Sequence, residues 1–316
     1  MSLSQLENVL SVAPFAQVSV ALRPRWRVTA GARYDYYTFE AIDRFLSDGN
    51  QSGQRIMHAA SPKVGLVYSA SDALNVYTNY ATAYQTPVTV ELSNRPPGQG
   101  GGFNQDLQPA TLRTVEAGAR GFLAASQLRY ELVGYASTLQ NAFVPFQRPD
   151  EQTYYVNAGE SSRHGVEALL EWTPVARLKT RVAYTYQDFT FARFVTGGFD
   201  YAGKHEPGTP PHQLFVGGTY QTSFGLRSSA QFRWVDAYPV NNANTFSNWA
   251  YRVVDVRAGL DRKWKRVSLR PFVGIDNLFN ERYNSSTTPN AVGSRFFEPA
   301  PDRAVYVGMT MGAGIF

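Results

Sequence analysis

The sequence predicts an all-β protein: an antiparallel up-and-down transmembrane β-barrel, present in part, with about 12–14 strands. Three observations predict it. Apolar and polar residues alternate with a period of two over long segments; short turns alternate with long polar connections; and aromatic residues reach 14% while charged residues stop at 17%. Mean hydropathy is −0.31, and no stretch approaches the roughly 18 apolar residues that a membrane-spanning helix needs. A membrane barrel combines these signs, because its lipid-facing and lumen-facing residues average out.

Taken in chain order, Met1 to Ser11 (MSLSQLENVLS) has neither a basic n-region nor an apolar core of the kind that directs export. Residues 1–12 are therefore expected to be a leader outside the barrel, with 13–316 as the barrel portion. The true start is expected upstream, or the gene is split. From Trp26 to Tyr36 one phase is Trp26, Val28, Ala30, Ala32, Tyr34 and Tyr36; the other is Arg27, Thr29, Gly31, Arg33 and Asp35. A strand sends these sets to opposite faces. The split recurs: Leu74, Val76 and Tyr80 against Asn75 and Asn79; Leu128, Tyr130 and Leu132 against Arg129 and Glu131; Val166, Ala168, Leu170 and Trp172 against Glu167 and Glu171. Further on, Leu178, Val182, Tyr184 and Tyr186 oppose Lys179, Arg181 and Gln187, and Leu226, Ala230, Phe232 and Trp234 oppose Arg227, Gln231 and Arg233. Val267, Leu269, Val273 and Ile275 oppose Ser268, Arg270 and Asp276. A cation on the lipid face at mid-depth costs about 2–4 kcal/mol, so charges must be sorted in this way. Arg252 is the exception, near a strand end where the penalty fades.

Short turns are expected at Arg23-Pro24-Arg25, Ser71-Asp72, Ala124-Ala125-Ser126, Pro174-Val175, Ser223-Phe224-Gly225 and Lys263-Trp264-Lys265. Long connections are expected at 41–55, 93–110, 148–153, 194–210, 240–247 and 281–294, with the run Gly98 to Phe103 (GQGGGF) as a mobile loop. Outer-membrane barrels place short turns on the periplasmic side and long loops outside. About thirteen strands would close only through one parallel seam, so an open sheet or an unpaired terminal segment is expected.

Several chemistries are excluded. With 0 Cys there is no disulfide, thiolate zinc site or cysteine nucleophile. Net charge is +5, but the cations are scattered singly, so no nucleic-acid partner is expected. His58, His164, His205 and His212 form no ligand spacing, so neither a metal site nor a cofactor is expected; His212 reads as a hydrogen-bonding rim residue. There is no GxSxG, and the chain is not read as an enzyme.

Other segments carry a family resemblance. Ser61 to Leu66 (SPKVGL), Leu74 to Pro87 (LNVYTNYATAYQTP) and Leu107 to Gly121 (LQPATLRTVEAGARG) resemble segments of TonB-dependent outer-membrane receptor barrels. So do Asn157-Ala158-Gly159 followed by Gly165-Val166-Glu167, Asn277-Leu278-Phe279-Asn280 with Tyr283, and Glu298 to Arg303 (EPAPDR). Ala110 stands where the family has Glu, and Asp302 where it has Gly; Asp tolerates the left-handed turn expected there. Phe316 is out of phase with Val305, Val307, Met309 and Met311, so the last strand is expected to end near Ala313.

The resemblance covers about Phe15 to Phe316 and implies the later half of a ~22-stranded transporter barrel. It implies uptake of a metal chelate, foremost a ferric siderophore. The implied partners are outer-membrane lipid and the TonB system, the latter only through a plug domain that this stretch does not contain. The fragment is not expected to be competent by itself. A passive porin-like channel and an inactive remnant of a split receptor gene are the competing readings. Tyr34, Tyr36, Tyr80, Tyr184 and Tyr186 read as an interfacial girdle. Tyr84, Arg95, Phe146, Arg148, Tyr154 and Tyr155 lie at strand tops or in long loops, where stacking and charge pairing would hold an anionic or aromatic chelate; ordinary loop packing is the alternative for each. Arg33, Asp35, Arg129, Glu131, Arg181 and Arg233 are expected to face the lumen.

Overall fold

The computed structural model describes residues 4–92, 95, 102–147, 153–264 and 267–313, which form one large antiparallel sheet with small loop hairpins. Fifteen strand segments make up that sheet, but two of its strands are interrupted. Gln5–Val12 and Phe15–Arg23 lie end to end along one neighbour and together form β1. The break falls at Ala13 and Pro14, where proline cannot donate to a ladder. Then follow β2 (Trp26–Asp43), β3 (Gly53–Ser71), β4 (Leu74–Gln85), β5 (Ala110–Leu123), β6 (Leu128–Gln140), β7 (Glu160–Val175) and β8 (Leu178–Arg193). Next come β9 (His212–Gln221) and β10 (Leu226–Val235). Tyr251–Leu260 and Arg262–Trp264 keep one register and form β11, followed by β12 (Val267–Asp276) and β13 (Ala304–Ala313). Each strand pairs with its neighbours in chain order, giving a meander. Among the described residues β1 and β13 each pair on one side only.

Of residues 1–12, expected to lie outside the barrel, Gln5–Val12 instead supply half of β1: Gln5 pairs with Asp43 and Val12 with Tyr36. The physical reason is β2, whose 18 residues would otherwise leave a row of backbone donors and acceptors unpaired. The turns at Arg23 to Arg25, Ala124 to Ser126 and Ser223 to Gly225 fall as expected, and that at Ser71-Asp72 moves on by one residue to Asp72 and Ala73. The β7–β8 turn is at Ala176 and Arg177, because Pro174 and Val175 still belong to β7 beside a bulge. Lys263 and Trp264, expected to turn, belong to β11, and Lys265 lies outside the described residues. The alternation of short turns and long connections holds along the chain. β13 is described as far as Ala313, and Phe316, expected to be out of phase, lies outside the described residues.

The ladders sort the two phases onto two faces. Val28, Ala30 and Ala32 lie opposite Leu66, Val64 and Pro62, and Trp26 packs on Tyr68 with ring centroids 4.5 Å apart. Val64, Val76, Val115, Leu132, Leu170, Trp172, Val307 and Met311 are exposed on this apolar face. So long an exposed apolar surface is stable only against lipid. Arg252 sits opposite Trp234 in the top rung but one of the β10–β11 ladder, at the edge of this face. On the other face aromatic rings cover glycines of the next strand. A Cβ at Gly118 would lie 2.7 Å from the Tyr77 ring, so only glycine admits that ring.

The buried core lies at the long-loop end. Phe39 and Ala41 of β2 and Met57 of β3 pack with Leu92, Phe103 and Leu107 of the connection 86–109. Val144 and Ala158 pack with Phe191 and Phe194, and Tyr238 and Val240 with Ala291 and Phe296. Gly98 to Gly101 lie outside the described residues, while Phe103, at the end of the glycine run expected to be mobile, is buried. Asp302 does not adopt the left-handed turn expected of it; the left-handed residues of that region are Asn277, Asn280, Asn290 and Ser294, with Gly293.

Candidate functional site

The connections at the long-loop end are knit into one layer. The connection 86–109 meets a hairpin of Phe143–Gln147 and Thr153–Asn157, where Asn104 Nδ2 donates to the Tyr155 carbonyl (3.3 Å) and the Gln108 N–H donates to Asn157 Oδ1 (2.6 Å). Asn290 Nδ2 donates to the Pro145 carbonyl (3.4 Å) and to Asn242 Oδ1 (3.2 Å), joining the hairpin to two later connections. Asn244 and His205 exchange two bonds of 2.8 and 2.9 Å, which brings in the connection 194–211. That connection is held to β7 by Arg163, whose guanidinium makes two bonds to Glu206 (2.9 and 2.6 Å) while lying over the Phe189 ring. Bidentate pairing of this kind fixes geometry as well as charge.

The residues expected to bind ligand enter this layer in different ways. Tyr84 and Tyr155 pack against the cluster of Phe39, Met57, Leu92, Phe103 and Leu107. Burial, reinforced by Glu91, pushes the Tyr155 phenol up, so it stays neutral. Arg95 Nε donates to the Phe103 carbonyl at 2.8 Å, which anchors its stem in the same loop. Phe146 and Tyr154 face each other across the hairpin with rings stacked 5.7 Å apart, and Phe146 also packs against the Phe191 and Phe194 cluster. Arg148 lies outside the described residues. Five of the six therefore share one loop layer, with Tyr84 and Tyr155 on its buried side.

Residues not singled out from sequence build the layer's floor: Phe39, Met57, Phe191 and Phe194. Their signal was present, because Phe39 and Phe191 are large apolar residues in the otherwise polar phase at the tops of β2 and β8. The family motifs prove to be loop architecture. Asn157 Nδ2 donates to the carbonyls of Gln108 and Asn141, both at 2.8 Å. Left-handed Asn277 accepts from the Glu281 N–H (2.8 Å) and donates to its carbonyl (2.9 Å), while Asn280 Oδ1 accepts from the Arg303 N–H (2.8 Å). Asparagine suits positions 277 and 280 because it tolerates the left-handed region and bonds its own loop. His212 Nδ1 lies 2.8 Å from the Tyr184 hydroxyl, in a rim of stacked rings that includes Tyr186 and Trp234.

At the short-turn end the same face carries a concavity of about 830 Å3, lined among others by Arg120, Arg129, Glu131, Glu171, Lys179 and Arg181. Arg129, Glu171 and Arg181 are neighbours along one rung of the ladders yet form no ion pair. Among the described residues no group of three His, Cys, Asp or Glu side chains is arranged to hold a metal ion.

Known proteins give this architecture a family. The chain is 25% identical over 264 residues to the ferrioxamine receptor of Yersinia enterocolitica, covering 82% of this chain and 34% of that one. It is 23% identical over 314 residues to the metal-pseudopaline receptor CntO of Pseudomonas aeruginosa strain UCBPP-PA14, covering 96% of this chain and 41% of that one. The siderophore receptor PiuA from Acinetobacter baumannii superposes with a TM-score of 0.77 at 22% identity, covering 97% of this chain and 43% of that one. The copper transporter OprC also superposes at 0.77, with 17% identity, 97% and 48% coverage. The chain thus spans about a third to a half of the length of these relatives. Residues 5–278 match the profile of the TonB dependent receptor-like beta-barrel, and the chain belongs to that family.

Proposed function

We propose that this chain forms part of the outer-membrane barrel of a TonB-dependent uptake receptor whose ligand is a metal chelate, foremost a ferric siderophore. The observation that carries the reading is the loop layer: it seats aromatic and cationic side chains on a packed floor at the end of the barrel that would face the outside. The relatives are receptors for ferrioxamine and for a metal-pseudopaline complex, which supports a chelate as ligand. Tyr84, Arg95, Phe146, Arg148, Tyr154 and Tyr155 frame the capture site in this proposal. Tyr84 and Tyr155 shape its floor, the Phe146–Tyr154 stack offers a ring face, and the two arginines draw in an anionic chelate. Nothing in this barrel performs chemistry on the ligand. Energy would reach it from the TonB system through a plug domain seated against the polar face.

The test is binding of ferrioxamine B to the detergent-solubilised chain, against the iron-free chelator. Binding of the ferric form that falls about tenfold in Tyr154→Ala, as loss of one well-placed stacking contact allows, is the expected result. Equal binding of both forms, or none, would reject a chelate receptor and favour the passive channel.

A further inference from the structure

A second pocket lies among the later connections of this layer, and none of its lining residues is one of the six capture candidates. Between the connection that precedes β11 and the one that joins β12 to β13 is a concavity of about 540 Å3 lined among others by Trp249, Tyr251, Glu281, Arg282, Tyr283 and Asp302. Tyr251 and Tyr283 stack with centroids 4.5 Å apart and planes 26° from parallel, giving the pocket a firm aromatic wall. Beside them Trp249 is 84% exposed, the most exposed of the large apolar side chains described. An indole so placed gains nothing from packing within this chain. Beneath the pocket Asn248 is 1% exposed; its Oδ1 accepts from Asn284 Nδ2 (2.8 Å), but its own Nδ2 has no partner. Among the described residues the indole N–H and the side chains of Glu281, Arg282 and Asp302 make no hydrogen bond or ion pair.

We propose that this pocket binds a neutral saccharide. Its charges narrow the choice. Two carboxylates face one guanidinium, so an anionic chelate would meet net repulsion, while Arg282 offsets part of the carboxylates' attraction for a cation. A sugar ring presents a flat face of C–H bonds to stack on indole and phenol rings, and a rim of hydroxyls that both donate and accept. Donors and acceptors stand together here without internal partners, which suits hydroxyls and wastes none of them. This site shares no lining residue with the six capture candidates, and the two proposals fail independently.

The test is saturation-transfer NMR on the full 316-residue chain in detergent micelles, with maltose, cellobiose and lactose as probes and glucuronate as the anionic control. Transfer to the ring protons of at least one neutral disaccharide is expected. It should weaken about tenfold in Trp249→Ala, a loss of the size that one aromatic platform supplies, and persist in Trp26→Phe, which alters an aromatic ring on the lipid face. Ferrioxamine B binding should be unchanged in Trp249→Ala, which separates this site from the capture site. Transfer that is absent for all three sugars, survives Trp249→Ala, or is matched by glucuronate would overturn the proposal. Tyr283→Phe, which keeps the ring stack and removes only a hydroxyl, guards against misfolding; transfer to the sugar should fall but remain detectable.

Discussion

At the long-loop end of the polar face, Phe39, Met57 and Phe191 lie buried under the connections, and Arg163 is locked to Glu206. At the short-turn end the same face holds Arg129, Glu171 and Arg181 side by side without a single ion pair among them, in an open concavity. One set of strands thus supports two kinds of surface. Where loops fold back, the wall is finished by this chain; where the turns are short, no segment of the chain is long enough to reach inward. Unpaired neighbours of opposite charge are unusual on a finished sheet, since such pairs normally contribute favourably. The difference teaches that the layer at the loop end is self-contained, whereas the lower wall awaits another body or water.

The largest effect should come from removing the floor of the loop layer. Phe194 is 1% exposed, and Phe194→Ala should destabilise the layer by about 3–5 kcal/mol through lost burial and the cavity left behind. Urea titration followed by proteolysis of the connection 194–211 would measure it. A loss below about 1 kcal/mol would mean that the clusters are incidental contacts rather than a core.

Breaking the Arg163–Glu206 pair should come next. Their side chains are 26% and 10% exposed, so the pair is largely but not wholly sealed from water. Arg163→Met strands the carboxylate and should cost about 3 kcal/mol, the low end for a buried pair. Joint replacement by Met and Leu should recover most of that loss, and a double-mutant cycle read by thermal unfolding would show it. If the single and double variants are equally unstable, the pair acts through packing and not through charge.

A third contrast separates the two faces. Val273→Arg places a cation on the apolar face and should cost about 2–4 kcal/mol on folding into a bilayer, falling toward zero near either interface. Gln231→Arg, on the polar face, should cost under about 0.5 kcal/mol. Equal penalties would remove the assignment of the faces.

That assignment was legible in the sequence because side-chain phase reports face directly, and a single charge out of phase is expensive. Turn positions were legible to within about two residues, as Pro174 shows: its strand continued past the proline through a bulge. The first half of β1 was missed because Gln5 to Val12 has a weak alternation, and its reason to pair lies in β2 and not in itself. At the capture layer, residue type was readable and role was not. Tyr84 and Tyr154 are alike in sequence context, yet one is packed against a core and the other is stacked in a hairpin. Distinguishing them needs the contacts of segments far apart in the chain, such as Asn104 with Tyr155 or Asn290 with Pro145, which no local pattern encodes.

The smallest effect is the one that tests the comparison most directly. Glu171→Gln removes a charge flanked by Arg129 and Arg181, and it should change the stability of this chain by no more than about 0.5 kcal/mol, because solvent already screens all three. Arg181→Gln should behave alike, and the two together should add. Coupling between them above about 0.5 kcal/mol would reveal an interaction that the geometry lacks. The same substitutions acquire a different meaning once a second body fills the concavity. A partner seated on this wall would desolvate the three charges, and an unmatched charge would then cost several kcal/mol. Stability insensitive to Glu171→Gln in the chain alone, but sensitive when a plug domain is added, would place the docking surface on this rung; insensitivity in both states would leave the rung facing water.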